Sequence, residues 1–390
     1  MNDFKFYTPT EVVFGKDAES KTGEVAKHYG KKALLVFGKG SVVKSGLLDR
    51  VKKSLDEAGV AYHDFGGAKP NPTLAHAEAG VAEAISAGAD MVIAVGGGSA
   101  IDTAKAIAHG TANPNEKLWD IWTRKVPLEK SLPVGAVLTI AAAGSEMSDS
   151  AVLTNEELGK KAGINTDFNR CHFAVMNPAL AATLPKNQVA AGVTDIMMHT
   201  MERYFIPDIK ADMTDEIAEG LLRTVIKNGA IVVANPADYD AMSEIFWASS
   251  LSHNNLTECG RGKDFSVHKI GHALSAKYDV THGASLSAVW GSWARTLYMD
   301  AVPRFAGFAR KVWGISETDD EKAAIAGIEK TENFFKSIGM PVSLKELGVN
   351  PTDEDIRELS LDATMQDTVK LSRIRPLSAA DIEKIYRAAL

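Results

Sequence analysis

Along the first 185 residues, short unbroken apolar runs alternate with stretches whose apolar positions recur every three or four residues. KKALLVFG (31–38), ADMVIAVGGGS (89–99) and LPVGAVLTIAAAG (132–144) are of the first kind, and VKKSLDEAG (51–59) is of the second. Parallel strands covered by helices on both faces lose the in-out alternation of a half-exposed sheet. Residues 92–95 and 134–138 therefore predict buried strands in a βαβ series. Beyond Pro185 such runs nearly vanish, and residues 187–205, 212–234, 238–256 and 318–338 carry helical spacing with few breakers. Asn177, Pro178 and Pro185 supply the punctuation between the two regimes. The pattern predicts an α/β domain over residues 1–185 and an all-α domain over residues 186–390.

A length of 390 residues agrees with two domains sharing a cleft. With 43 basic against 50 acidic residues the net charge is −7, which argues against nucleic acid or an anionic membrane as partner. The N-terminal stretch MNDFKFYTPT lacks the features of a secretory signal, and no apolar run approaches the roughly 18 residues of a membrane span. A cytoplasmic protein is expected. Only two cysteines occur, Cys171 and Cys259, far apart, so a metal in this chain must be held by nitrogen and oxygen.

The run Val92 to Lys105 is an apolar strand, the turn Gly96-Gly97-Gly98, and a helix opening with Ser99 as cap and Asp102 in its first turns. Glycines let backbone N–H groups approach a pyrophosphate, and the helix start adds unpaired donors and a positive dipole end. The turn departs from the dinucleotide fingerprint, because Ile101 stands at the third glycine position, and from the P-loop. An earlier turn after a strand, Gly38-Lys39-Gly40-Ser41, has no acidic residue to hold a ribose 2′-hydroxyl. Gly38, Lys39 and Ser41 leave room, charge and a donor for a 2′-phosphate, so NADP(H) is expected over NAD(H).

In the helical half, Asp195 and His199 stand four apart, one helical turn from each other on the same face. His268 and His272 repeat that spacing, and His282 follows at a Thr-His-Gly turn. Single histidines are commonly packing residues, but two such pairs and a third histidine make a divalent-metal site. Carboxylate with imidazole suits Fe²⁺ or Zn²⁺. Met197, Met198 and Met201 read as core, and His253 as pocket lining or packing.

Taken together, GGGSAIDTAK (96–105), GSEMSDSAVLT (144–154), NPALAATLP (177–185), the Asp195/His199 pair and HKIGHAL followed by THG resemble the iron-containing (group III) alcohol dehydrogenases, most closely NADPH-preferring butanol dehydrogenase-like members. The resemblance spans the chain. It implies a dehydroquinate synthase-like fold, in which a Rossmann-like dinucleotide domain and a helical metal-binding domain flank the active-site cleft. It implies metal ligation by Asp195, His199, His268 and His282, and places His272 near the nicotinamide as proton relay. Gly96, Gly97, Gly98, Ser99 and Asp102 would hold the pyrophosphate side of the cofactor, with Thr139 lining the cleft and Lys161 in contact. One departure is the stretch Thr139-Ile140-Ala141-Ala142-Ala143-Gly144-Ser145-Glu146, which lacks a second Thr that many relatives carry.

These implications amount to hydride transfer between NADP(H) and a primary alcohol/aldehyde pair such as butanol/butanal, in a homodimer, with the metal as Lewis acid. The alternative is a metal- and NAD-dependent lyase or cyclase resembling 3-dehydroquinate synthase. Such an enzyme should show a basic phosphate-recognising cluster, and near the metal motifs only Arg261, Lys263 and Lys269 occur.

Overall fold

The computed structural model describes residues 1–390. The chain divides into one unit of Tyr7–Thr183 and a second of Met1–Phe6 with Leu184–Leu390.

The first unit is built on six parallel strands: β1 (Glu11–Phe14), β2 (Lys32–Gly38), β3 (Ala61–Ala68), β4 (Met91–Gly96), β5 (Val134–Leu138) and β8 (Phe173–Met176), in the order β1-β8-β5-β4-β2-β3. Every residue of β4 and β5 is buried, which is why both read as unbroken apolar runs. The apolar run that continues past Leu138 is not strand; from Thr139 it leaves the sheet as a loop. The longer helices here are α1 (Leu47–Glu57), α2 (Leu74–Ala87) and α3 (Gly98–Ala112).

A second, antiparallel pair joins β6 (Ser150–Asn155) to β7 (Lys160–Asn165). The apolar pattern does not predict it. β6 buries only alternate residues, β7 buries only Ile164, and their Ser, Thr, Asn and Lys content reads as loop.

Within this unit His109 on α3 is completely buried. Asn169 Nδ2 donates to the carbonyls of Asp149 and Ile164, which leaves its Oδ1 to accept from His109 Nε2 at 2.8 Å; His109 Nδ1 then accepts from Ser131 Oγ at 2.8 Å. Burial lowers this histidine from 6.5 to about 4, so the folded protein keeps it neutral. Between those values the unfolded chain binds the extra proton, so stability is full above pH 6.5 and is lost as pH falls towards 4. The loss amounts to roughly 3 kcal/mol. Denaturant titrations at several pH values should show it, and His109→Gln should flatten that acid limb.

The second unit is helical: α4 (Lys186–Tyr204), α5 (Asp212–Ala234), α6 (Tyr239–His253), α7 (Ser266–Tyr278), α8 (His282–Leu297), α9 (Val302–Trp313), α10 (Asp320–Ser337), α11 (Asp353–Ala363) and α12 (Ala379–Ala388). The extreme N-terminus belongs here. Asn2 N–H donates to Gly260 O at 2.9 Å, and Met1 occupies the space a side chain on Gly260 would need. At the centre lies α4, buried without interruption from Val189 to Tyr204. A helix with no solvent side must find internal partners for each polar side chain. Thr194 and Thr200 bond back to the carbonyls of Ala190 and Ile196, and Arg203 to those of His199 and to Glu258. What the others find defines the site.

Candidate active site

The nucleotide-type turn sits where β4 meets α3. Gly97, not Ser99, is the N-cap, and no side chain caps the helix; Ser99 is already helical and its carbonyl accepts from Thr103 Oγ1 at 2.8 Å. The expectation of a serine cap is corrected accordingly: with a glycine at the cap, the Gly98 and Ser99 N–H groups have no acceptor within the helix and face outward. A Cβ on Gly97 would lie 2.4 Å from Ile140 Cγ2, so only glycine lets the loop after β5 approach this turn. Thr139 opens that loop, its N–H donating to Gly96 O at 3.0 Å.

Asp102 faces inward. Its carboxylate accepts from Ser145 Oγ at 2.6 Å and from Val152 N–H at 3.0 Å, with Lys105 Nζ at 4.0 Å. Lys105 is fully buried and donates to Ser145 O, Ser145 Oγ and Ser150 O. Burial raises the Asp102 carboxyl, against the pull of Lys105. The side chain thus ties α3 to the 144–154 motif, while the backbone ahead of it faces the turn. Gly38 ends β2, Lys39 is exposed, and Ser41 begins the short helix Ser41–Lys44. Lys161 on β7 donates to Asn71 Oδ1 at 3.0 Å, drawing in Asn71, which has a left-handed φ of 56°. The only sequence signal for Asn71 is the Pro70-Asn71-Pro72 turn.

In the helical unit, Asp195, His268 and His282 each bring a ligand atom within 4.8 Å of the others. From Asp195 Oδ1, His268 Nε2 lies at 3.4 Å and His282 Nε2 at 3.6 Å. An ion bound tetrahedrally at about 2.1 Å holds its ligand atoms about 3.4 Å apart, so these gaps match. Asp195 Oδ1 and His268 Nε2 are buried and make no hydrogen bond of good geometry, a cost that a cation would remove. The residues fit a divalent metal.

His199 lies beside this group rather than within it. Its Nδ1 hydrogen-bonds the Asp195 carbonyl at 3.0 Å and stands 3.2 Å from Asp195 Oδ1. His253 stacks on His199 with centroids 4.0 Å apart. Burial, with His253 and His268 nearby, holds His199 well below the usual histidine range. His272 is half-buried, its ring 4.9 Å from that of His282.

Glu202 ends the same face of α4. Its Oε1 accepts the N–H groups of Val267 and His268 at 2.6 and 3.2 Å, and its Oε2 meets His268 Nδ1. Burial works against a charged His268, but the Glu202 and Asp195 carboxylates outweigh it and raise this histidine to about 9. A pocket this cation-seeking holds a proton when nothing better is offered. Glu202 stands three residues after His199 and seven after Asp195, so its spacing places it on the same helical face but does not show its partner His268.

Among the aromatic side chains of the helical unit, Phe265 reaches the site, with its ring 5.0 Å from His268 and 5.8 Å from His199, whereas Trp290 is fully buried against Phe335. Phe265 takes a left-handed φ of 59° at the N-cap of α7, and Arg203 lies over its ring at 4.7 Å.

The profile of the iron-containing alcohol dehydrogenases matches residues 9–178, and that of the Fe-containing alcohol dehydrogenase family, C-terminal, matches residues 189–390. The chain is 36% identical over 389 residues to the NADH-dependent butanol dehydrogenase A of Clostridium acetobutylicum, covering 99% of each. It is 34% identical to the NADPH-dependent aldehyde reductase YqhD of Escherichia coli, over 90% of each chain. Among solved structures, the NADH-dependent butanol dehydrogenase A of Thermotoga maritima superposes with a TM-score of 0.95 at 35% identity, over 100% of this chain and 99% of that one. These relatives carry oxidoreductase names, which decides against the non-redox lyase alternative. No helix is long and apolar enough to cross a membrane. With both profiles matched in order along the chain, and the carboxylate and imidazoles in place, this protein belongs to the iron-containing alcohol dehydrogenase family.

Proposed function

We propose that this alcohol dehydrogenase transfers hydride between NADP(H) and a primary alcohol/aldehyde pair such as butanol/butanal, using Fe²⁺ or Zn²⁺ held by Asp195, His199, His268 and His282. The observation that carries the metal is the convergence of Asp195, His268 and His282. His199 completes the set through Nε2, since the Asp195 carbonyl engages its Nδ1. Bound there, the ion would supply Lewis acidity towards the substrate oxygen. Asp195 supplies the negative charge that keeps the ion. His282, the most exposed of the four at 31%, marks the side from which substrate enters. His272, next to it, carries the proton between substrate oxygen and solvent, a task suited to an imidazole.

The NADP(H) assignment rests on Gly38, Lys39 and Ser41. The relatives named above include both NADH- and NADPH-dependent enzymes. A homodimer agrees with the exposed apolar Phe4, Phe6 and Tyr7, and with the open β1 edge of the sheet.

Anaerobic oxidation of NADPH and of NADH with butanal, followed at 340 nm in metal-stripped and Fe²⁺- or Zn²⁺-reloaded protein, tests the reading. Metal-dependent consumption with NADPH preferred is the expected result. Gly38→Asp should reverse the preference. A Cβ there meets only Ala68 O at 3.6 Å, so the fold tolerates it, while the new carboxylate repels a 2′-phosphate. At about 3 kcal/mol for that repulsion, kcat/KM with NADPH falls roughly 100-fold. An unchanged ratio in that variant refutes the 2′-phosphate site, and consumption of neither cofactor by reloaded enzyme refutes the substrate class.

A further inference from the structure

We infer that Glu202 is a positioning residue for the metal: it fixes which nitrogen of His268 carries the proton and so presents His268 Nε2 as a lone pair to the ion. The inference rests on the proposed ligand set.

A neutral imidazole has one N–H and one lone pair, and only the lone pair ligates. Both Glu202 oxygens are committed to the start of α7. Oε1 accepts the backbone N–H groups of Val267 and His268, and Oε2 faces His268 Nδ1. An ionised carboxylate only accepts, so the proton must sit on Nδ1. His268 Nε2 is thereby left aimed at Asp195 Oδ1, 3.4 Å away and without a hydrogen-bond partner. Glu202 is 1% exposed, so water does not compete for this role. One side chain thus links the helix carrying Asp195 to the helix carrying His268, fixing orientation and tautomer together. Such partners of ligating histidines are worth roughly 10- to 100-fold in metal affinity.

Glu202→Gln separates this role from simple helix capping. The two backbone donors hold the amide oxygen where Oε1 now lies, so the amide NH₂ faces His268 Nδ1. That donor needs an acceptor, and the imidazole supplies one only by moving its proton to Nε2, which blocks ligation. Metal-stripped full-length protein would be titrated anaerobically with Co²⁺, reading the visible absorption of the bound ion, with the melting temperature of the stripped protein measured alongside. The expected result is Co²⁺ affinity about 10- to 100-fold weaker in Glu202→Gln, titrated below the melting temperature of the stripped variant, which loss of the buried Glu202–His268 pair lowers. His268→Ala is the control. If it loses Co²⁺ while Glu202→Gln binds as the parent does, the tautomer role is overturned and the ligand set stands. Should His268→Ala bind Co²⁺ normally, the ligand set itself is wrong and the inference falls with it. A measurement independent of the variant's folding is ¹⁵N-histidine NMR of the Zn²⁺-loaded parent, with His268 assigned by its disappearance in His268→Ala. A protonated Nδ1 and a metal-shifted Nε2 are expected; ligation through Nδ1 overturns the inference.

Discussion

Asp195→Asn should strip the protein of its metal while leaving it folded, with kcat/KM for butanal falling by at least about 10³-fold, equivalent to roughly 4 kcal/mol of lost transition-state stabilisation. Asp195 Oδ1 is the point on which His268 Nε2 and His282 Nε2 close, at 3.4 and 3.6 Å, with the His199 ring beside it. It is the one carboxylate in the proposed ligand set. The amide keeps the volume of the side chain but removes the charge that offsets a divalent ion in a buried site. The His199 ring also hydrogen-bonds the main-chain carbonyl of Asp195, a contact the substitution preserves, so α4 keeps its packing. Metal analysis after dialysis, circular dichroism and steady-state rates on one preparation decide it. Full activity without bound metal would end the Lewis-acid role. Full metal content would mean that the three imidazoles hold the ion without Asp195.

The parts of this fold that were plain from sequence are those in which one physical demand dominates. β4 and β5 are wholly buried and therefore wholly apolar, and the helix over residues 212–234 carries its spacing without a break. The β6/β7 pair was not legible, because its burial alternates or is slight, and it serves Asp102 through the Val152 backbone N–H and Asn71 through the Lys161 side chain. The first six residues read as an ordinary start to the α/β half, yet they group with the helices through Asn2, Met1 and Gly260, a pairing across more than 250 positions that no local pattern carries. The metal group shows the same division. The i, i+4 spacing gathers side chains on one helix, but only the packing of α4, α7 and α8 brings Asp195, His268 and His282 to one point. Glu202 escaped because its chemistry depends on a partner 66 residues away.

That packing has a steric cause, which Gly283→Ala should expose with a large effect for a single methyl group. Gly283 follows His282 at the start of α8. A Cβ built there falls 2.2 Å from Ala191 O and 2.8 Å from both Ala191 C and Ala191 Cα. These are backbone atoms of α4, which cannot swing aside as a side-chain tip can, so one helix must move from the other. Ala191 is one turn ahead of Asp195, and His282 is the residue next to the clash. A displacement at this contact therefore pulls a ligand away from the carboxylate that faces it. The expected cost is about 3 kcal/mol of stability, with metal affinity reduced in the same variant. Gly220→Ala, an identical change on α5 where the new methyl meets only Arg223 Nη2 at 3.8 Å, should leave metal affinity untouched and raise stability by up to about 1 kcal/mol. Denaturant midpoints and Zn²⁺ titrations of the two variants, run side by side, separate the loss of a close approach from the generic effect of replacing a helical glycine. If Gly283→Ala matched the parent in both, the approach of α8 to α4 would not be what sets His282 against Asp195.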